Sequence, residues 1–213
     1  MDTFDLYKDI QCRTNGEIYL GVVGPVRSGK STFIKRFMDV LVLPKMTDEH
    51  AKERTVDELP QSASGKSIMT TEPKFVPKEA AEIQLAKDVS VLVRLIDCVG
   101  YMVEGAAGHM ENGAERLVKT PWNEKEIPFT KAAEIGTKKV IHDHSTIGIV
   151  VTTDGSIGEL PRNSYRAAEK KTIQELKSIG KPFVVLVNTR KPYSAEAKNV
   201  AEEIQKEYQV TAL

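Results

Sequence analysis

Residues Gly24 to Ser31 read Gly-Pro-Val-Arg-Ser-Gly-Lys-Ser, the spacing G-x-x-x-x-G-K-S. This segment constrains the fold more than any other, because its chemistry works only where a buried strand turns into a helix. The glycines let backbone N–H groups turn inward around an anion, and the following helix presents its positive end to the same charge. The flanks agree. Residues 17–23 (EIYLGVV) form a short apolar run of β-formers. From Ser31 a helix places Phe33, Phe37 and Leu41 on one face and closes before Pro44. The apolar end of that helix, FMDVLVL, reads as core. Within the motif, Lys30 is spaced to reach β- and γ-phosphates and Ser31 to ligate Mg²⁺. The candidate nucleotide contacts are Gly24, Pro25, Val26, Arg27, Ser28, Gly29, Lys30, Ser31 and Thr32, with Arg27 also a candidate charge stabiliser. A second GKS, at Ser64–Ser67, has Pro60 where the first glycine belongs and no strand before it, so it reads as loop.

The rest of the chain alternates strands with helices. Strand signals fall at 73–76, at 82–86 leading into 89–96, at 147–151 and at 183–187. Helical periodicity covers 131–144 and 164–179, the latter with Ala168, Ile173, Leu176 and Ile179 inward. A last helix starts at the cap Ser194, with Ala197, Val200, Ala201, Ile204 and Tyr208 on one face. Residues 44–69 read as a loop with at most one helical turn, and 101–129 carry no assignable pattern. Such alternation predicts an α/β P-loop NTPase fold, a mostly parallel sheet with helices on both faces. At 213 residues the chain is expected to be one P-loop domain, with a polar lead-in at 1–16 and an insertion-like region at 101–146. It ends within an expected strand, Val210–Leu213, so an N-terminal piece of a longer protein is anticipated.

Three further segments bear on chemistry. Asp97-Cys98-Val99-Gly100 ends the run at 89–96, where a carboxylate can serve Mg²⁺ and the glycine N–H can meet a γ-phosphate. Thr70 and Thr71 precede the next strand and are candidate switch residues over Mg²⁺ and the γ-phosphate; either could be the ligand. Asn188-Thr189-Arg190-Lys191 stands where a guanine reader carries N-K-x-D. Asn188 is kept, but Lys191 cannot accept hydrogen bonds from guanine, which favours adenine. Tyr101 follows Gly100 where a water-orienting glutamine would stand, so turnover is expected to be slow. A slow GTPase switch and a non-hydrolysing nucleotide-bound scaffold are the competing readings.

Composition excludes other classes. Thirty basic and thirty acidic side chains cancel, which argues against a dedicated nucleic-acid binder. No apolar run approaches the ~18 residues of a membrane span. Cys12 and Cys98 form no CxxC, and His142-Asp143-His144 does not share a helical face, so a zinc site is not expected.

Together GVVGPVRSGKSTFIKRFM, ELPQSASGKSIMTTEPKFVP, LIDCVGY, TPWNEKEIPF and HSTIGIVVTTDGSIG resemble the stage IV sporulation protein A family of spore-coat morphogenetic ATPases, over nearly the whole chain. The resemblance implies Mg²⁺-dependent ATP hydrolysis that drives irreversible polymerisation into the basement layer of the coat. It places the phosphate loop on Gly24–Ser31 with Lys30, sensor threonines on Thr70 and Thr71, and a Walker B aspartate on Asp97. Implied partners are other copies of the full-length protein, a small amphipathic membrane peptide and other coat proteins. The implied location is the mother-cell cytoplasm at the forespore outer surface, with the membrane met only indirectly.

Overall fold

Near-continuous apolar strands need cover on both faces. The computed structural model, which describes residues 16–60, 72–86, 89–111 and 113–213, gives them that cover. In chain order, β1 (Glu17–Val23) leads to α1 (Lys30–Phe37), which continues as a wide turn over Met38–Val42 and a tight one over Leu43–Lys45. Then come α2 (Glu49–Glu58), β2 (Lys74–Ala86), β3 (Val89–Asp97) and two small ribbons, β4 (Met110–Glu111) with β5 (Ala114–Glu115) and β6 (Leu117–Thr120) with β7 (Asn123–Pro128). The rest is α3 (Phe129–Lys139) with a wide turn over Val140–His144, β8 (Ile147–Thr153), α4 (Arg162–Ser178), β9 (Phe183–Asn188) and α5 (Ala195–Tyr208).

The main sheet has the order β2-β3-β1-β8-β9. β3, β1, β8 and β9 are parallel, and β2 folds back antiparallel on β3 as an edge. The pleat divides the core in two. Val23, Ile96, Val150 and Val185 face Ile173 and Leu176 of α4 and Ile204 and Tyr208 of α5. Their strand neighbours Val22, Leu95, Ile149 and Val151 face Ile34 and Met38 on the α1 side. The expected last strand is a short parallel bridge, with Val185 N donating to Thr211 O and Leu213 N to Val185 O, both at 2.9 Å.

Several sequence expectations need correction. The stripe of α1 against the sheet is Ile34, Met38 and Val42, all fully buried, while Phe33 and Phe37 are half-buried and Leu41 is 44% exposed. Both stripes have i, i+4 spacing, and the phosphate loop decides which one points at the sheet. The run FMDVLVL is therefore core on one side only, since Val40 is also exposed. Residues 49–58 form a three-turn helix rather than loop; Asp48 caps it by accepting from Ala51 N at 3.1 Å. Its sequence hides it because Thr55 is its one fully buried residue. The two expected strands at 73–76 and 82–86 are one strand, with a register shift between Val76 and Ala81 beside a cis Val76–Pro77 bond. Ile179 is exposed because α4 has already ended. The helix expected at 131–144 starts earlier, at Phe129, and widens after Lys139. His142 there bonds Glu175 at 2.7 Å while His144 packs edge-on against Phe75, and no group of three or more metal-ligating side chains occurs among the described residues.

One buried ion pair ties α4 to the sheet. Glu169, 1% exposed, accepts from Arg162 Nη1 and Nη2 at 2.6 and 2.8 Å and from Thr152 Oγ1 at 2.5 Å. Removing one partner of such a pair strands the other in low dielectric. Glu169→Ala is expected to lower unfolding stability by about 3–5 kcal/mol, and the double change Glu169→Leu with Arg162→Met to restore most of it. Chemical denaturation of the three proteins checks this.

Candidate nucleotide site

β1 ends at Val23 and α1 begins at Lys30, so six residues must reverse direction at the carboxyl edge of a parallel sheet. Gly24 and Gly29 adopt positive φ of 131° and 94° to do so. The loop is strapped to the segment after β3: Val26 N donates to Tyr101 O at 2.8 Å, and Tyr101 N to Gly24 O at 3.2 Å. Gly100 sits inside this strap at φ 93°, where a Cβ would overlap the Gly24 carbonyl and crowd Lys30 Nζ. A Cβ on Gly29 would likewise overlap the Asn188 amide.

Lys30 is 5% exposed, and its ammonium donates to Pro25 O at 2.6 Å and reaches Gly24 O at 3.5 Å. Burial lowers its pKa, opposed by the electrostatic influence of the neighbouring Cys98 and Asp97. Asp97, at the end of β3, is raised by burial, opposed by the Ser31 hydroxyl and Lys30. Both directions report one cause, a low-dielectric pocket that penalises charge. Ser31 Oγ donates to Asp97 Oδ2 at 2.7 Å. On the far side of the loop Asn188 Nδ2 donates to Ser28 O at 3.1 Å.

The structure thus brings together Gly24, Pro25, Val26, Ser28, Gly29, Lys30, Ser31, Asp97, Gly100 and Asn188. Arg27 belongs to the loop but turns outward at φ 60°, with Nη2 donating to Ala107 O at 3.1 Å. Thr32 is exposed on the first turn of α1. Thr70, Thr71 and the second GKS lie outside the described residues. Tyr101 is 3% exposed, with the Lys171 ammonium 4.6 Å from its ring centroid. Its ring lines a groove with Met102, Thr130, Glu134 and Ala168.

The residues fit a Mg²⁺–triphosphate. Ser28 Oγ and Asp97 Oδ1 are buried without hydrogen-bond partners, beside an ammonium that leans on main-chain carbonyls. A serine hydroxyl touching a strand-end carboxylate is the hard-oxygen donor pair that Mg²⁺ takes.

Sequence reading missed Asp154, Ser156 and the use made of Thr189. Asp154 directly follows β8, much as Asp97 ends β3, and its Oδ2 accepts from Thr189 Oγ1 at 2.5 Å. The available signal was the same as for Asp97, a carboxylate just past a buried strand.

A strand–loop–helix cradle with a buried lysine, a Ser–Asp pair and an asparagine against the loop defines a P-loop NTPase. The model of stage IV sporulation protein A, ATPase domain, matches residues 1–213, and the chain belongs to that family. Stage IV sporulation protein A of Clostridioides difficile (strain 630) is 57% identical over 209 residues, covering 98% of this chain and 43% of that protein. Those of Bacillus subtilis (strain 168) and Bacillus anthracis are 52% and 51% identical over 213 residues, each covering 100% of this chain and 43% of the relative. The chain therefore spans less than half the length of the curated relatives it matches. Among solved structures it is similar to a dimerization-deficient mutant of Toc33 from Arabidopsis thaliana, at 9% identity and TM-score 0.47, over 97% of this chain and 73% of that one. A mutation variant of SsGBP gives 16% identity and TM-score 0.44, over 97% and 52%.

Gly100→Ala should disable this site while sparing the core, because the strap carries main chain on both sides. ATP affinity is expected to fall by at least about tenfold, roughly 1.4 kcal/mol, with an unchanged far-ultraviolet circular dichroism spectrum. Calorimetric titration beside that spectrum reads both.

Proposed function

We propose that this domain binds Mg²⁺–ATP and hydrolyses it slowly, as the nucleotide-binding part of a cytoskeleton-like protein that polymerises into the basement layer of the bacterial spore coat. The observation that carries the enzymatic part is the convergence of Lys30, Ser31 and Asp97 on one phosphate loop. The sporulation part rests on membership of the family and on the names of its relatives.

Lys30 exchanges its contacts with the Pro25 and Gly24 carbonyls for β- and γ-phosphate oxygens. The main-chain N–H groups of the loop and the start of α1 hold the remaining phosphate charge. Ser31 and Asp97 would hold Mg²⁺, which when bound would supply charge neutralisation at the phosphate oxygens. The main-chain N–H of Gly100 would serve the γ-phosphate, and Thr70 and Thr71 are assigned as its switch threonines. Adenine is preferred because Lys191 offers no acceptor to the guanine N1–H and amino group. Turnover is slow because Tyr101 cannot orient water. The same fact supports a second reading, a nucleotide-bound scaffold that does not turn over.

Assembly, a small amphipathic membrane peptide, other coat proteins and a place on the mother-cell side of the forespore envelope are proposed for the longer protein. No helix among the described residues is long and apolar enough to cross a membrane.

Phosphate release from ATP and GTP, measured side by side, tests the core of this reading. ATP should be the better substrate, and Lys30→Ala should abolish both binding and release through loss of a charge-assisted contact worth about 1.5–3 kcal/mol. Equal ATP affinity with and without Lys30 would refute the assignment.

Replacing both Thr70 and Thr71 with alanine is expected to leave ATP affinity within severalfold. Hydrolysis should fall at least about tenfold, roughly 1.4 kcal/mol of barrier. Single-turnover kinetics separate the two effects.

A further inference from the structure

Two strand-end carboxylates flank the phosphate loop, and the function above uses one of them. The other, Asp154, is the hub of a hydrogen-bonded network joining the ends of β8 and β9. Its Oδ2 accepts from Thr189 Oγ1 at 2.5 Å, and its Oδ1 accepts from Ser156 N and Oγ at 2.8 and 2.6 Å. Ser156 Oγ in turn accepts from Arg190 N at 2.9 Å, and Thr189 Oγ1 accepts from Lys191 N at 3.1 Å. At its start the turn is tied to the phosphate loop by the Asn188–Ser28 bond. Every residue of Asn188-Thr189-Arg190-Lys191 is thus held, the first by the phosphate loop and the other three through Asp154. Burial pushes the Asp154 carboxyl up, but hydrogen bonds from Ser156 and Thr189 outweigh this and hold it below the usual range. It is therefore ionised near neutral pH and accepts from all of them.

Sheet order says which end of a nucleotide this turn meets. β3 lies on one side of β1 and delivers Asp97 to Ser31; β8 and β9 lie on the other side. The 188–191 turn therefore touches the phosphate loop on the side away from the Ser31–Asp97 pair, and because it stands where a guanine reader carries N-K-x-D, the ATP-binding reading assigns the base to this side.

We infer that Asp154 is the positioning residue of the base side of this site: through Thr189 and Ser156 it holds the Asn188–Lys191 turn in the one shape that favours ATP over GTP. The inference rests on the ATP-binding reading and extends it to a residue outside the phosphate-binding motif. The physical basis is preorganisation. A turn already ordered adds nothing to the cost of binding, whereas a released turn must be ordered by each base that enters.

The test compares affinities for ATP, GTP and inorganic tripolyphosphate, all with Mg²⁺, in the wild type, Asp154→Ala, Thr189→Val and the double variant. Tripolyphosphate has the phosphates but no base, so it reads the loop alone. Asp154→Ala should weaken ATP about tenfold, bring ATP and GTP affinities within about threefold of each other, and leave tripolyphosphate within about twofold. Thr189→Val keeps the side-chain shape, cuts the same link and should shift ATP in the same direction. The double variant should be no worse than Asp154→Ala, because changes to one coupled contact do not add. Wild-type affinity and discrimination in Asp154→Ala overturn the inference. So does a loss of tripolyphosphate that parallels the loss of ATP in both single variants, since Asp154 would then support the whole loop. A Lys30→Ala control keeps the two readings apart: if it loses ATP while Asp154→Ala does not, the ATP site stands and the positioning role falls. If Lys30→Ala binds ATP like the wild type, the ATP reading itself fails.

Discussion

The parallel pairing of β1 with β3 on one side and β8 on the other is the constraint on which the rest depends. Its register sets Val22 beside Asp97 and Val23 beside Val150, so neighbouring strands finish within a few residues of one level. The segments that leave those ends are crowded onto one edge of the sheet, as ligand sites of open α/β sheets are. Gly24, Asp97 and Asp154 share that edge for this reason. The crowding also explains Gly100, where main chain passes main chain so closely that no side chain fits.

The same crowding leaves polar groups that the folded domain does not fully satisfy. Lys30 is buried against main-chain carbonyls, while Ser28 Oγ and Asp97 Oδ1 have no partners. Such groups cost stability and persist only where the surroundings hold them. Here the holding is done by fully buried Ile34, Leu95, Ile96 and Val150 on the two faces of the sheet, and by the Arg162–Glu169 pair at the start of α4.

The flanks of the phosphate loop divide the labour. Toward β3, Ser31 and Asp97 form a hard-oxygen pair suited to a metal ion. Toward β9, the asparagine and the hydrogen-bonded network behind it, which carries Asp154 together with Arg190 and Lys191, tie the turn to the loop. Tyr101 joins the first flank to the loop through its main chain, and its ring, under Lys171, faces the groove between α3 and α4.

What the sequence determined by itself was whatever local spacing encodes. The phosphate loop, the strand before it, the Ser194 cap and the strand-end Asp97 could all be read from short stretches, because each depends on neighbours a few residues away. The α/β alternation followed from the same local periods. Tertiary structure alone decided the rest. It chose Ile34, Met38 and Val42 over an equally periodic stripe, and it turned β2 back against β3. It also paired β4 with β5 and β6 with β7 into short ribbons that local periodicity had not announced. The Asp154–Thr189 bond joins residues 35 apart, and the Asn188–Ser28 bond joins residues 160 apart. No local pattern records such pairs, since they exist only once the sheet has set its strands side by side.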